Sequence, residues 1–113
     1  MPTKEELYEK GMGQMAEGNL PGAIEALKAA ADLAPEYAEA LQALAMLHYQ
    51  SGQFDEAIAA GKQLAKVTPD DVLAHTRLSM FYVDKGMVPE AEAEDNIDRQ
   101  LTWKQQLKES KKA

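Results

Sequence analysis

The sequence of 113 residues predicts an all-α fold of three stacked helix–turn–helix repeats with an extended last helix. Three observations carry that prediction. The chain superposes on itself at a period of 34 residues, each period holds two apolar stripes at helical spacing, and glycine or proline separates the stripes. Met12, Met46 and Met80 fall on the period, as do Gly18, Gly52 and Gly86, and Ala23, Ala57 and Ala91. Leu20, Phe54 and Val88 follow the glycines by two residues, while Leu33, Val67 and Leu101 recur further on. Pro35 and Pro69 stand one period apart.

The first period gives helices over 3–17 and 20–33. Gly18-Asn19-Leu20-Pro21 forms their turn, and Pro21 suits a first helical turn, where its missing N–H has no partner anyway. The second period gives 37–51 and 54–67. Leu41, Leu44, Ala45 and His48 share one face, and Ala57, Ile58, Gly61, Leu64, Ala65 and Val67 form the answering stripe. Gly52-Gln53 divides them, because glycine accepts the left-handed conformation that a helix end commonly requires. Thr68-Pro69-Asp70 stops the second helix, since proline cannot donate to it and disfavours helix in the preceding residue. The third period gives 71–85 and 88–110. Trp103 stands where the closing proline would recur, so nothing halts the last helix there. Ala93, Ile97, Leu101 and Leu107 are expected to share its apolar face. Acids gather near its start and Lys104, Lys108, Lys111 and Lys112 near its end, the polarity that a helix dipole favours. Short connections make consecutive helices antiparallel, and stacking of neighbours supplies the stability that no single helix has.

Nineteen acids against twelve bases give a net charge of -7 and a pI near 4.8. That balance argues against nucleic acid and against docking on an anionic membrane, both of which need clustered Lys and Arg. The absence of cysteine removes disulfides, thiolate nucleophiles and the commonest structural zinc ligands. Met1-Pro2-Thr3-Lys4-Glu5-Glu6 lacks the apolar core of a signal peptide, and no apolar run approaches the roughly 18 residues that span a bilayer. A cytoplasmic protein without membrane insertion is the expectation. His48 and His75 fall on faces that pack between helices, and a metal site needs three or four converging ligands. Interior, hydrogen-bonded histidines are expected instead. No paired carboxylates, nucleophile–histidine pair or phosphate-cradling loop can be picked out. No catalytic residue, metal or cofactor is therefore predicted.

The 34-residue helix–turn–helix pattern resembles the tetratricopeptide repeat. The second repeat carries the resemblance best, with Leu41, Leu44-Ala45, Gly52, Ala57-Ile58 and Pro69, and with His48 at the aromatic position. The first supplies Leu7, Gly11, Gly18, Ala23-Ile24, Leu27, Ala30 and Pro35, but has Lys10 and Gln14 where Leu and an aromatic are usual. The third keeps Leu78-Ser79, Tyr82, Gly86 and Ala91, then places Glu92, Asp95 and Asp98 at positions that are otherwise apolar or small. The resemblance implies one domain over 1–113, a right-handed α-α superhelix with repeats at about 4–37, 38–71 and 72–105. Residues 106–113 extend the last helix as a C-terminal cap.

The resemblance also implies that the first helix of each repeat lines a concave groove for a partner peptide or helix. By register the groove takes Glu5, Tyr8, Met12 and Met15, then Glu39, Gln42, Met46 and Tyr49, then Leu73, Thr76, Met80 and Val83. Methionine is flexible and polarizable, which suits variable apolar partners, although the same row could serve packing. One subclass clamps a terminal carboxylate at the positions of Tyr8, Met12, Met46, Leu73 and Arg77; only Arg77 keeps that chemistry, so the clamp is not expected. The function implied is a non-catalytic adaptor that binds an apolar or amphipathic protein segment. The alternative is a structural accessory subunit or a self-assembling, homo-oligomeric scaffold that uses its convex face or last helix. Trp103 is then a second interface, unless it covers the end of the solenoid.

Overall fold

The computed structural model describes residues 1–112, and among them every regular element is helical. The order is α1 (Lys4–Ala16), α2 (Leu20–Leu33), α3 (Ala38–Gln50), α4 (Phe54–Val67), α5 (Val72–Lys85) and α6 (Val88–Lys112). The close pairings run between consecutive helices, which is the connectivity of an α-α solenoid. The radius of gyration is 15.5 Å, with extents of 47 × 36 × 22 Å. A compact chain of this length would have a radius near 13 Å, so the stack is drawn out.

The helix ends follow from local chemistry. Thr3 and Glu6 form a capping box at the start of α1, each side chain serving the other's backbone N–H. Asn19 accepts from the Gly22 N–H ahead of Pro21, and Asp71 accepts from the Leu73 N–H at the start of α5. Gly18, Gly52 and Gly86 each close the first helix of a repeat at φ between +75° and +84°, where a Cβ would be strained. The 34-residue recurrence of glycine is thus a recurrence of one backbone conformation.

The core is a chain of small clusters along the stack. Leu27 and Ala30 of α2 meet Leu44 and Leu47 of α3, and Ile58 and Ala60 of α4 meet Leu78 and Phe81 of α5. Close approach at the second junction depends on Gly61, where a Cβ would lie 2.8 Å from the Leu78 Cδ2. Both histidines are buried and hydrogen-bonded. His48 Nδ1 lies 2.7 Å from the Gln53 Oε1, across the α3–α4 turn.

The apolar face expected for α6 differs from the one it buries. Ala93, Ile97 and Leu107 are exposed, and among the described residues of that helix Ala91 is the one that is buried. The inward side instead carries Glu94, Asp95, Asp98, Leu101 and Thr102, all half-buried. The reason is polar: Glu94 reaches His75 at 2.7 Å, and Asp98 accepts from the Thr76 hydroxyl. These two contacts set the rotation of α6 against α5.

Candidate functional site

The first helices of the repeats, α1, α3 and α5, share a cleft of about 410 Å³, which opens between α1 and α3 and is reached by Arg77 of α5. Its floor is Tyr8, Met12, Met15 and Met46 with Ala43 and Leu47, and its sides are Glu39, Gln42, Gln50 and Arg77. The size lies within the range of sites that hold a few side chains of a ligand.

Six of the twelve groove residues expected from register meet in this cleft, Tyr8, Met12, Met15, Glu39, Gln42 and Met46, and Arg77 joins them. The other six, Glu5 among them, lie elsewhere. Leu73, Thr76, Met80 and Val83 are exposed along α5, outside the cleft, and Thr76 is held by Asp98. Tyr49 is half-buried in packing, its ring 5.0 Å from that of Phe81 and 5.7 Å from that of Phe54. Its hydroxyl donates to Asp84, which, with burial second, pushes the phenol above its usual 10.0. Ala43, Leu47 and Gln50 were not on the expected list. Ala43 and Gln50 continue the helical stripe begun by Glu39 and Met46, and that spacing is the signal that finds them.

The cleft floor divides its apolar side chains between two tasks. Met15 and Tyr8 pack against the α2–α3 cluster, and Met46 packs against the α4–α5 cluster, so all three are half-buried. Their remaining surfaces face the cleft. Glu39 stands at one rim of the cleft; burial, followed by the charges of Glu39 and Glu5 and more weakly of Glu9, raises the nearby Tyr37 hydroxyl above 10.0. Lys4 lies over the Tyr37 ring at 4.9 Å, a cation–π contact. Arg77 makes no ion pair among the described residues.

Elsewhere the chemistry is structural. His75 Nε2 faces the Pro69 carbonyl at 3.0 Å while Nδ1 faces Glu94, and two acceptors on the two ring nitrogens favour the imidazolium form. Burial lowers the His75 pKa, but the Glu94 hydrogen bond, the Pro69 carbonyl, and the charges of Glu94 and Asp71 outweigh it. The net shift is upward from 6.5. Among the described residues no three His, Asp or Glu side chains converge as a metal site. None of the described helices is long and apolar enough to cross a membrane. Trp103 is 62% exposed.

Comparison with known proteins agrees with this geometry. No curated protein matches the sequence. Among solved structures, MamA superposes with a TM-score of 0.85 at 25% identity, over 91% of this chain and 60% of that one. The chain thus spans less than two thirds of that relative. The second TPR domain of Spaghetti, bound to an HSP90 peptide, gives a TM-score of 0.78 at 19% identity, over 88% and 92% of the two chains. The Yersinia enterocolitica type III secretion chaperone SycD, in complex with a peptide of the translocator YopD, gives 0.78 at 22%, over 86% and 74%. A tetratricopeptide repeat family model matches residues 14–76, which is more than half of the sequence. Period, paired helices, turn glycines and matched model together place this chain in the tetratricopeptide repeat family.

Proposed function

We propose that this chain is a non-catalytic, cytoplasmic interaction module whose cleft between α1 and α3 holds an apolar or amphipathic segment of a partner protein. The observation that carries this reading is the open methionine floor. Met12, Met15 and Met46 turn side-chain surface toward a cleft that the core does not need, beneath polar walls. Thioether side chains adapt to different apolar shapes, so the floor suits a segment defined by pattern more than by one sequence. Leu73, Met80 and Val83 extend that surface along α5 for a longer segment. The Spaghetti domain and SycD, similar in fold, are solved with peptides bound, which supports the same use of this stack.

The test is a peptide selected by display against the immobilised chain, titrated into wild type and into Met12→Glu/Met46→Glu. Losing one buried methionine contact removes about 1.5–3 kcal/mol, so the double substitution should lower affinity by at least about a hundredfold. Circular dichroism must show the variant equally helical. Unchanged affinity in a folded variant rejects the cleft as the site.

A further inference from the structure

We propose that residues 103–111 of one molecule dock in the α1–α3 cleft of a second, so that copies of this chain associate head to tail. This inference rests on the cleft being a binding surface, as argued above.

The segment has the chemistry that the cleft lacks. α6 runs 25 residues where α2 and α4 run 14, and every residue from Trp103 to Lys111 is exposed. Trp103 and Leu107 stand one helical turn apart at 62% and 43% exposure. Lys104, Lys108 and Lys111 form the neighbouring stripe. The charge division is sharp: residues 1–98 carry eighteen acids against seven bases, and from Arg99 onward there are five bases and one acid. The cleft answers with an apolar floor of Met12, Met15 and Met46 and with Glu39 and Arg77 in its walls, while Glu5 and Glu9 act with Glu39 on the neighbouring Tyr37. The apolar surfaces match, and the basic segment is attracted to the carboxylates of Glu39, Glu5 and Glu9.

The contact has to come from another molecule. No glycine or proline interrupts α6 after Pro89, so the helix continues straight, and 103–111 extends about 13 Å along its axis. It cannot turn back to the inner face of its own stack, near α1. A contact between two different surfaces closes only as a ring and otherwise adds further copies, and in either case association should grow with concentration. An interface of this size belongs to the small, transient class.

Trp103 is the sole tryptophan and therefore reports its own docking. Emission and sedimentation velocity are followed from about 1 μM to about 1 mM. Wild type should shift to shorter wavelength and larger mass over the same range. Lys104→Glu/Leu107→Glu/Lys108→Glu, changed only at exposed positions, should weaken association at least tenfold. Glu5→Lys/Glu39→Lys, likewise at exposed positions, should do the same. Mixing these two variants is a further test. The charge-reversed segment of the first is attracted to the basic cleft rim of the second, so the mixture should associate where each alone does not. A monomer with constant emission at every concentration overturns the proposal, and so does association indifferent to either variant. The segment variant leaves the cleft open, so its titration with the display-selected peptide tests the cleft separately. Peptide binding alongside a monomeric wild type overturns the head-to-tail contact alone. Failure of both the selected peptide and the segment overturns the cleft as well.

Discussion

The second helices of the middle and third repeats, α4 and α6, are one period apart and are held in opposite ways. α4 buries Ala57, Ile58, Ala60, Gly61 and Leu64 between α3 and α5. One period on, Ile58 becomes Glu92, Gly61 becomes Asp95 and Leu64 becomes Asp98. α6 keeps Ala91 as its buried anchor and attaches to α5 through the His75–Glu94 and Thr76–Asp98 contacts. An apolar face is non-directional and indifferent to pH, whereas a charged hydrogen bond fixes one rotation and depends on protonation. The interior of the stack therefore resists by burial and its outer helix by specific polar geometry.

The largest effect that separates the regions is a truncation in the core. Phe81→Ala, at a fully buried position, should cost about 3–5 kcal/mol in urea unfolding, whereas Ile97→Ala on the exposed side of α6 should cost under about 0.5 kcal/mol. Equal losses would erase the contrast.

Next in size is the polar tie. Glu94→Gln should lower stability by about 1.5–3 kcal/mol at pH 6, the usual range for a charge-assisted hydrogen bond. The pH sign follows from the upward shift of His75. A group whose folded pKa exceeds its unfolded 6.5 contributes fully below that value and loses its contribution as pH rises through the folded pKa. Wild type should therefore lose stability as pH rises above 6.5, and His75→Gln should lose less over the same interval. Parallel pH profiles for the two proteins would contradict the imidazolium.

Smaller still are the backbone changes. Gly52→Ala places a Cβ at φ +75° and should cost about 1 kcal/mol, while Gly13→Ala, mid-helix with open space around it, should gain about as much. Opposite signs at two glycines are read directly from thermal melts.

Most of the fold was legible because its signals are local and repeated. The turn glycines, Pro21, Pro35 and Pro69 set the helix limits, and α1 to α5 lie within one residue of the ranges their spacing implied. The rotation of α6 was not legible. Its determinants, His75 and Thr76, lie 19 and 22 residues from their partners, and no periodicity encodes a polar pair between helices. Of the register positions, Tyr8, Met12, Met15, Glu39, Gln42 and Met46 share one cleft with Arg77. Tyr49 packs instead against the rings of Phe54 and Phe81, which compete for that side chain. Which members of a helical face stay open depends on neighbours that spacing alone does not show.

The cleft itself is tested most directly by methyl NMR with the methionines labelled at carbon. The display-selected peptide is added to the Lys104→Glu/Leu107→Glu/Lys108→Glu variant, whose α6 segment does not compete. Met12, Met15 and Met46 should shift most, and Met87, half-buried at the α5–α6 turn, should stay in place. A peptide that binds while Met12 and Met46 remain unmoved would contradict the account and place the interface on another face.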